Sequence, residues 1–215
     1  TVTVTGIGNY NGIKQVTFNI LKKALTISGI TAEDKEYNGT TEATLSGTAS
    51  LVGLVDGDDI VLSGTSESTF TSPNVSTAIT VTVFGYELTG TAKDNYSLSQ
   101  PTGLSADITY RTISVTPTSG LTKLYGESDP EFTYTFSGTV SGQMAAFSGS
   151  LSRIQGENAG SYQITQGSLI LLDNGSFKAS NHVISLTAGI DFEITKAPLI
   201  VTVNNDAKFV TQADR

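Results

Sequence analysis

The sequence predicts an all-β chain of tandem small antiparallel domains, most simply immunoglobulin-like sandwiches. Three observations carry this. Strand-forming residues alternate at 79–83 (Ile-Thr-Val-Thr-Val), 132–136 (Phe-Thr-Tyr-Thr-Phe) and 199–203 (Leu-Ile-Val-Thr-Val), as a half-buried pleated surface favours. Turn dipeptides punctuate the chain at Asn11-Gly12, Asn38-Gly39, Asp56-Gly57 and Asn174-Gly175, and Asn-Gly and Asp-Gly suit the positive φ angles of tight hairpins. The whole pattern also recurs: Tyr125 follows Tyr37 by 88 residues, and Val210 follows Tyr125 by 85. Such a period is the size of a small domain, longer than a solenoid coil or a propeller blade.

The recurrence is visible at both ends of each domain. Opening segments align at Lys23-Ala24-Leu25-Thr26-Ile27, Arg111-Thr112-Ile113-Ser114-Val115 and Lys196-Ala197-Pro198-Leu199-Ile200. The basic residue stands fourteen positions before Tyr37, Tyr125 and Val210 in turn. Closing segments align from Asn9-Tyr10, Asn95-Tyr96 and Asn181-His182, and each runs directly into the next opening.

Taken in order, residues 1–22 read as the closing strands of one repeat. Residues 23–110 and 111–196 are two full domains, with their boundary near Tyr110-Arg111-Thr112. Residues 197–215 open a further repeat, so the chain reads as a slice of a longer array. The joints carry no Gly/Ser spacer, which predicts stiff coupling and an extended stalk. One stretch departs from the β pattern. Gln143-Met144-Ala145-Ala146-Phe147 is poor in strand formers and predicts a short helix, which would make the second domain β-grasp-like.

Composition excludes several function classes. The 215 residues hold 12 Lys and Arg against 20 Asp and Glu, a net charge of −8. No basic cluster offsets this charge, so nucleic acid is not an expected partner. The apolar runs are too short for membrane insertion. Cysteine is absent, which removes disulfides and thiolate metal sites and suits a bacterial exported protein that folds without oxidation, as it equally suits a cytosolic one.

The second domain opens with Lys123-Leu124-Tyr125-Gly126-Glu127-Ser128-Asp129-Pro130-Glu131-Phe132 and closes with Ile194-Thr195-Lys196-Ala197. These segments resemble the opening and closing motifs of MBG domains. The first domain carries Lys35-Glu36-Tyr37-Asn38-Gly39, then Gly85-Tyr86-Glu87-Leu88-Thr89-Gly90, Asn95-Tyr96 and Gln100-Pro101-Thr102-Gly103-Leu104. It resembles YDG domains, with Asn38 in place of the usual Asp. The third opening departs from the MBG pattern, with Val210, Thr211 and Arg215 where Tyr, Gly and Pro are usual. The resemblance implies a non-catalytic repeat segment of a large bacterial surface or secreted adhesin. It implies an extracellular, cell-surface location, export of the type IX kind, and a part in adhesion or gliding. Neighbouring repeats of the same chain would be its partners, and glycans or mucin its ligands. The alternative is a carbohydrate-binding or spacer module on a secreted polysaccharide-degrading enzyme; the absence of Trp weighs against an aromatic sugar platform.

No catalytic, cofactor-binding or metal-binding residue is assigned, but several candidates arise. Asp56, Asp58 and Asp59 form the densest acidic cluster. Calcium favours clustered carboxylates, yet the ligand spacing of a calcium loop is missing, and an acidic turn is the expectation. His182 is the single histidine and stands where Tyr10 and Tyr96 stand, which predicts a packing role. No Gly-x-Ser-x-Gly elbow accompanies it, and 126–130 has no phosphate-loop glycines. Tyr37 and Tyr125 share one offset in unlike domains, which predicts that both rings close the core. The sequons at Asn38, Asn74, Asn95 and Asn174 carry little weight in a bacterial chain. A self-formed Lys–Asn isopeptide bond has no recognisable pairing here.

Overall fold

The structure, a computed structural model, describes residues 1–203. Within them secondary structure is strand, apart from two single 3₁₀ turns at Lys93–Asn95 and Ala179–Asn181. The chain divides into two units, Thr1–Arg111 and Thr112–Arg215. The opening motif at Val210, Thr211 and Arg215 lies outside the described residues.

Unit 1 begins with a hairpin of β1 (Val2–Thr5) and β2 (Ile13–Val16), whose residues are all exposed. There follow β3 (Lys23–Ala32), β4 (Lys35–Glu36), β5 (Leu45–Val52), β6 (Val61–Ser63), β7 (Glu67–Phe70) and β8 (Ser76–Phe84). The unit closes with β9 (Glu87–Thr89), β10 (Tyr96–Leu98) and β11 (Leu104–Thr109). One sheet has the order β10-β3-β5, the second β4-β11-β8-β7, and β6 pairs with β9. The period-two alternation explains the core. Ile79, Val81 and Val83 of β8 point inward while the Thr residues between them face out, and Leu25, Phe70 and Ile108 join them.

Unit 2 comprises β12 (Arg111–Pro117), β13 (Thr122–Leu124), β14 (Tyr134–Ser137), β15 (Ala146–Ser148) and β16 (Ser152–Arg153). It continues with β17 (Gly160–Thr165), β18 (Ile170–Leu172), β19 (His182–Leu186) and β20 (Asp191–Thr195). Its sheets are β14-β12-β19, β13-β20-β17-β16 and the pair β15-β18. Ile113 and Val115 from the first sheet and Ile164, Phe192 and Ile194 from the second share one apolar cluster. The two sheets therefore enclose a common core, as in a sandwich.

The two units have one topology. β19-β12-β14 matches β10-β3-β5, β13-β20-β17-β16 matches β4-β11-β8-β7, and β15-β18 matches β6-β9. In both, a short strand that follows the first long one, β4 or β13, runs parallel to the closing strand. Lys35 lies opposite Ile108 and Glu36 opposite Thr109. Lys123 lies opposite Ile194 and Leu124 opposite Thr195.

Two expectations are corrected. The short helix around Gln143–Phe147, and with it the β-grasp alternative, is absent, because Ala146–Ser148 is strand β15 paired with β18. Phe147 supplies the reason: its ring lies 5.5 Å from that of Tyr134 and 4.9 Å from that of Phe136, and this packing outweighs the helix preference of Ala and Met. Residues 199–203 are not strand, and Leu199 is 90 % exposed. Alternation alone does not hold a strand. β3 and β12 are held by β5 and β14, whereas no strand among the described residues pairs with 199–203.

Candidate functional site

The densest polar arrangement lies at the closing edge of unit 2, and it begins with an inward lysine. Lys123 shares a parallel ladder with β20, and its side chain is 4 % exposed. Its Nζ donates to Asp129 Oδ1 at 2.7 Å and to Glu157 Oε2 at 2.6 Å. Arg153 enters from β16. The alternation that turns Leu151 inward turns Arg153 inward as well. Its guanidinium meets Asp129 in a two-pronged pair, Nε to Oδ2 at 2.7 Å and Nη2 to Oδ1 at 3.0 Å. Nη2 also donates to Glu157 Oε1 at 2.7 Å, and Nη1 to the carbonyls of Ile154 and Gly156. The guanidinium carbon lies 5.0 Å from the centre of the Tyr162 ring and 5.4 Å from that of Phe192.

Each charge in this four-residue network reinforces its neighbours. The Arg153 guanidinium holds the Asp129 carboxyl below its usual range, and Lys123 adds to the effect. Hydrogen bonds from Lys123 and then Arg153 lower Glu157. Asp129 and then Glu157 raise Lys123. A hollow of about 400 Å³ borders the network, lined by Asp129, Ser152, Arg153, Gln155, Gly156 and Glu157. Amide condensation between Lys123 and Asp129 would need a neutral amine and a neutral carboxyl. The network favours the charged form of both, which opposes that step and suits an ion-paired clamp.

Lys35 is the unit 1 counterpart of Lys123, since each lies opposite the buried penultimate Ile of its closing strand. Its partners differ. Nζ donates to the Thr40 carbonyl at 2.8 Å, the Glu42 carbonyl at 2.7 Å, Asn38 Oδ1 at 3.1 Å and Thr40 Oγ1 at 3.3 Å. All four acceptors are neutral. Burial lowers the Lys35 pKa, against a smaller opposing pull from Glu42.

The acidic turn of unit 1 is tied to its own framework. Asp59 Oδ2 accepts the Thr91 N–H at 3.1 Å and the Thr91 hydroxyl at 3.0 Å, which lower its pKa. Asp58 accepts the hydroxyl of buried Tyr96, whose own pKa is thereby raised. Asp56 sits in the turn that the Asp58 N–H closes on Val55 O. Among the described residues no three His, Asp or Glu side chains converge as metal ligands would.

His182 is 5 % exposed and stacks on Phe177 with ring centres 4.2 Å apart. Its Nδ1–H donates to Lys178 O at 2.8 Å. It occupies a place like that of Tyr96, at the start of a strand that follows a 3₁₀ turn. Tyr10, the third member of that set, is 81 % exposed.

The expectation for Tyr37 and Tyr125 needs correction for one of them. Tyr37 is 4 % exposed and Tyr125 is 55 % exposed. The turns that follow explain the split. After Tyr37 the chain binds the edge strand β7, with Phe70 N–H donating to Thr41 O at 2.7 Å. After Tyr125 it makes a tight turn in which Glu127 N–H donates to Leu124 O and Leu124 N–H to the Glu127 carboxylate.

Sequence reasoning missed the Lys123–Asp129–Arg153–Glu157 network, because up to 34 residues separate its members. Two signals were available: an Arg two places after an inward Leu, and a Lys two places before a motif Tyr in both domains.

A second hollow, of about 370 Å³, lies in unit 1. Ser76, Thr77, Asp107 and Thr109 line it beside the half-exposed Tyr110. There Asp107 Oδ1 accepts the N–H of Ala78, a non-glycine residue at φ +49°. Among the described residues no helix is long and apolar enough to cross a membrane.

Comparison with known proteins gives two matches. Residues 21–103 match the family model of the YDG domain, and residues 113–190 match that of the MBG domain, YGX type. No curated protein and no solved structure matches the chain.

Proposed function

Because the chain carries a YDG domain followed by an MBG domain, which are repeat modules and not catalytic domains, we propose that it is a load-bearing stalk segment of a large bacterial surface or secreted adhesin. One observation supports this reading above the others. In both units a short strand that directly follows the long first strand of the domain, β4 after β3 and β13 after β12, runs parallel to the strand that closes it. A pull that reaches β4 or β13 from the N-terminal side and the closing strand from the C-terminal side loads all the hydrogen bonds of that ladder together, in shear. An antiparallel pair in their place would instead unzip one bond at a time. Extracellular placement, export by a type IX route and a role in adhesion or gliding belong to the same proposal. Antibodies raised against the chain should label intact cells of the source organism. Labelling that requires lysis would contradict surface placement.

A second reading rests on the unit 1 hollow. A half-exposed tyrosine beside a carboxylate and three hydroxyls is chemistry that suits a sugar ring, with its C–H face on the aromatic and its hydroxyls on the oxygens. Tyr110→Ala should then abolish glycan binding and leave stability unchanged. An array that shows no glycan binding by the parent chain removes this reading.

A further inference from the structure

We propose that Asn38 is a self-processing deamidation site whose aspartate product gives Lys35 a hydrogen-bonded carboxylate in place of a neutral amide oxygen. The argument starts from the matched lysines. Lys123 meets two carboxylates within 2.7 Å, whereas Lys35 at the same register meets neutral oxygens. One of these oxygens belongs to Asn38, and three donors converge on it. They are Lys35 Nζ at 3.1 Å, the Thr40 N–H at 3.0 Å and the Thr40 hydroxyl at 3.0 Å. An amide oxygen with three donors, one of them cationic, is held as a carboxylate oxygen would be.

The residue after Asn38 is Gly39, at φ +81°, so no side chain shields the backbone nitrogen that performs deamidation. That nitrogen attacks Asn38 Cγ. The Cγ–Nδ2 bond breaks, ammonia leaves with the proton of the Gly39 N–H, and a cyclic succinimide remains. Water then adds at Cγ and reopens the Cγ–N bond, which restores the peptide and leaves a carboxylic acid on residue 38. The net change is uptake of one water and loss of one ammonia, with no oxidant or reductant.

The three donors bear on both steps. Negative charge builds on Oδ1 as nitrogen attacks Cγ and again as water attacks Cγ, and preorganised donors stabilise such an oxyanion. They therefore speed ring formation and direct ring opening to Cγ. A succinimide free in solution opens mainly at the backbone carbonyl and gives isoaspartate. At this site the product is aspartate.

The other two Asn-Gly pairs are internal controls. Asn174 is held through its Nδ2, which donates to Met144 O at 3.1 Å, and through backbone bonds to Phe177. Asn11 lies in the exposed connection of the β1–β2 hairpin.

The test follows the whole chain in mildly alkaline buffer by peptide mass mapping, with isoaspartate-specific enzymatic labelling. Asn38 should convert about 10-fold faster than Asn11 or Asn174, and to aspartate. Lys35→Met should slow conversion at Asn38 by about 10-fold and leave Asn11 unchanged. Should Lys35→Met unfold unit 1, Thr40→Val removes one donor more gently and should slow conversion in the same direction. In urea the advantage of Asn38 should vanish, and Asn38→Asp should melt above the parent. Conversion of Asn11 before Asn38, a majority of isoaspartate at residue 38, or an unchanged Asn38 rate in the folded variants would overturn the proposal.

Discussion

Tyr37 and Tyr125 donate the same backbone hydrogen bond, Tyr37 N–H to Thr109 O at 2.9 Å and Tyr125 N–H to Thr195 O at 2.8 Å, yet only Tyr37 is buried. Backbone and side chain thus answer to different rules. The bond belongs to the parallel ladder that both units share, while the ring follows the turn that comes next. Tyr37→Ala should destabilise unit 1 by about 3–5 kcal/mol, the usual cost of truncating a buried aromatic. Tyr125→Ala should stay within about 0.5 kcal/mol of the parent, as exposed substitutions do. Denaturant melts of the two variants decide it, and equal losses would contradict the assignment.

The charged network should make unit 2 acid-sensitive. Asp129 and Glu157 are held below their ordinary values of 3.8 and 4.5. A carboxyl depressed in the folded state contributes stability above its unfolded pKa, and that stability is lost as pH falls through the folded pKa. Lys123 is raised above 10.5, so its contribution is complete below that pH and is lost as pH rises beyond it. Unit 2 should therefore be most stable between those limits. Asp129→Asn should flatten the acid limb and lower stability at neutral pH, because Arg153 keeps its burial and loses its two-pronged carboxylate partner, with Glu157 left to hold it. Melting followed against pH for parent and variant checks both statements.

Gly47 and Gly29 approach closely between β3 and β5. Gly47 has φ +88°, and a Cβ there would stand 2.2 Å from Gly29 O. The ladder register shifts beside it, between Ser28 and Ile30. Gly47→Ala adds backbone strain of about 1–3 kcal/mol to that clash. Hydrogen exchange at Ile30 and Thr31 should speed up in this variant while unit 2 keeps its protection.

Calcium should leave the melting of unit 1 unchanged, because Asp58 and Asp59 are committed to Tyr96 and Thr91. A calorimetric shift on adding calcium would show that the turn opens to bind it.

Much of the fold was legible because it rests on local periodicity. The alternation at 79–83 is the buried face of β8, and the repeated opening and closing segments are the matched sheets of the two units. What stayed hidden depends on distant partners. Nothing near Gln143–Phe147 announces that Phe147 will find Tyr134 and Phe136. Nothing near Lys123 announces Arg153 and Glu157. Equal spacing also misled at Tyr125, because a shared position in the backbone does not dictate where a side chain goes.

The stalk reading is tested most directly by pulling the chain from its two ends in a single-molecule force experiment. Two separate unfolding events should appear, each releasing roughly 250–300 Å of chain, at the high force that shear loading of the parallel β4–β11 and β13–β20 ladders requires. Asp129→Asn should weaken one event and leave the other unchanged. Extension in a single event, or at forces no higher than those that stretch an unstructured chain, would contradict the account.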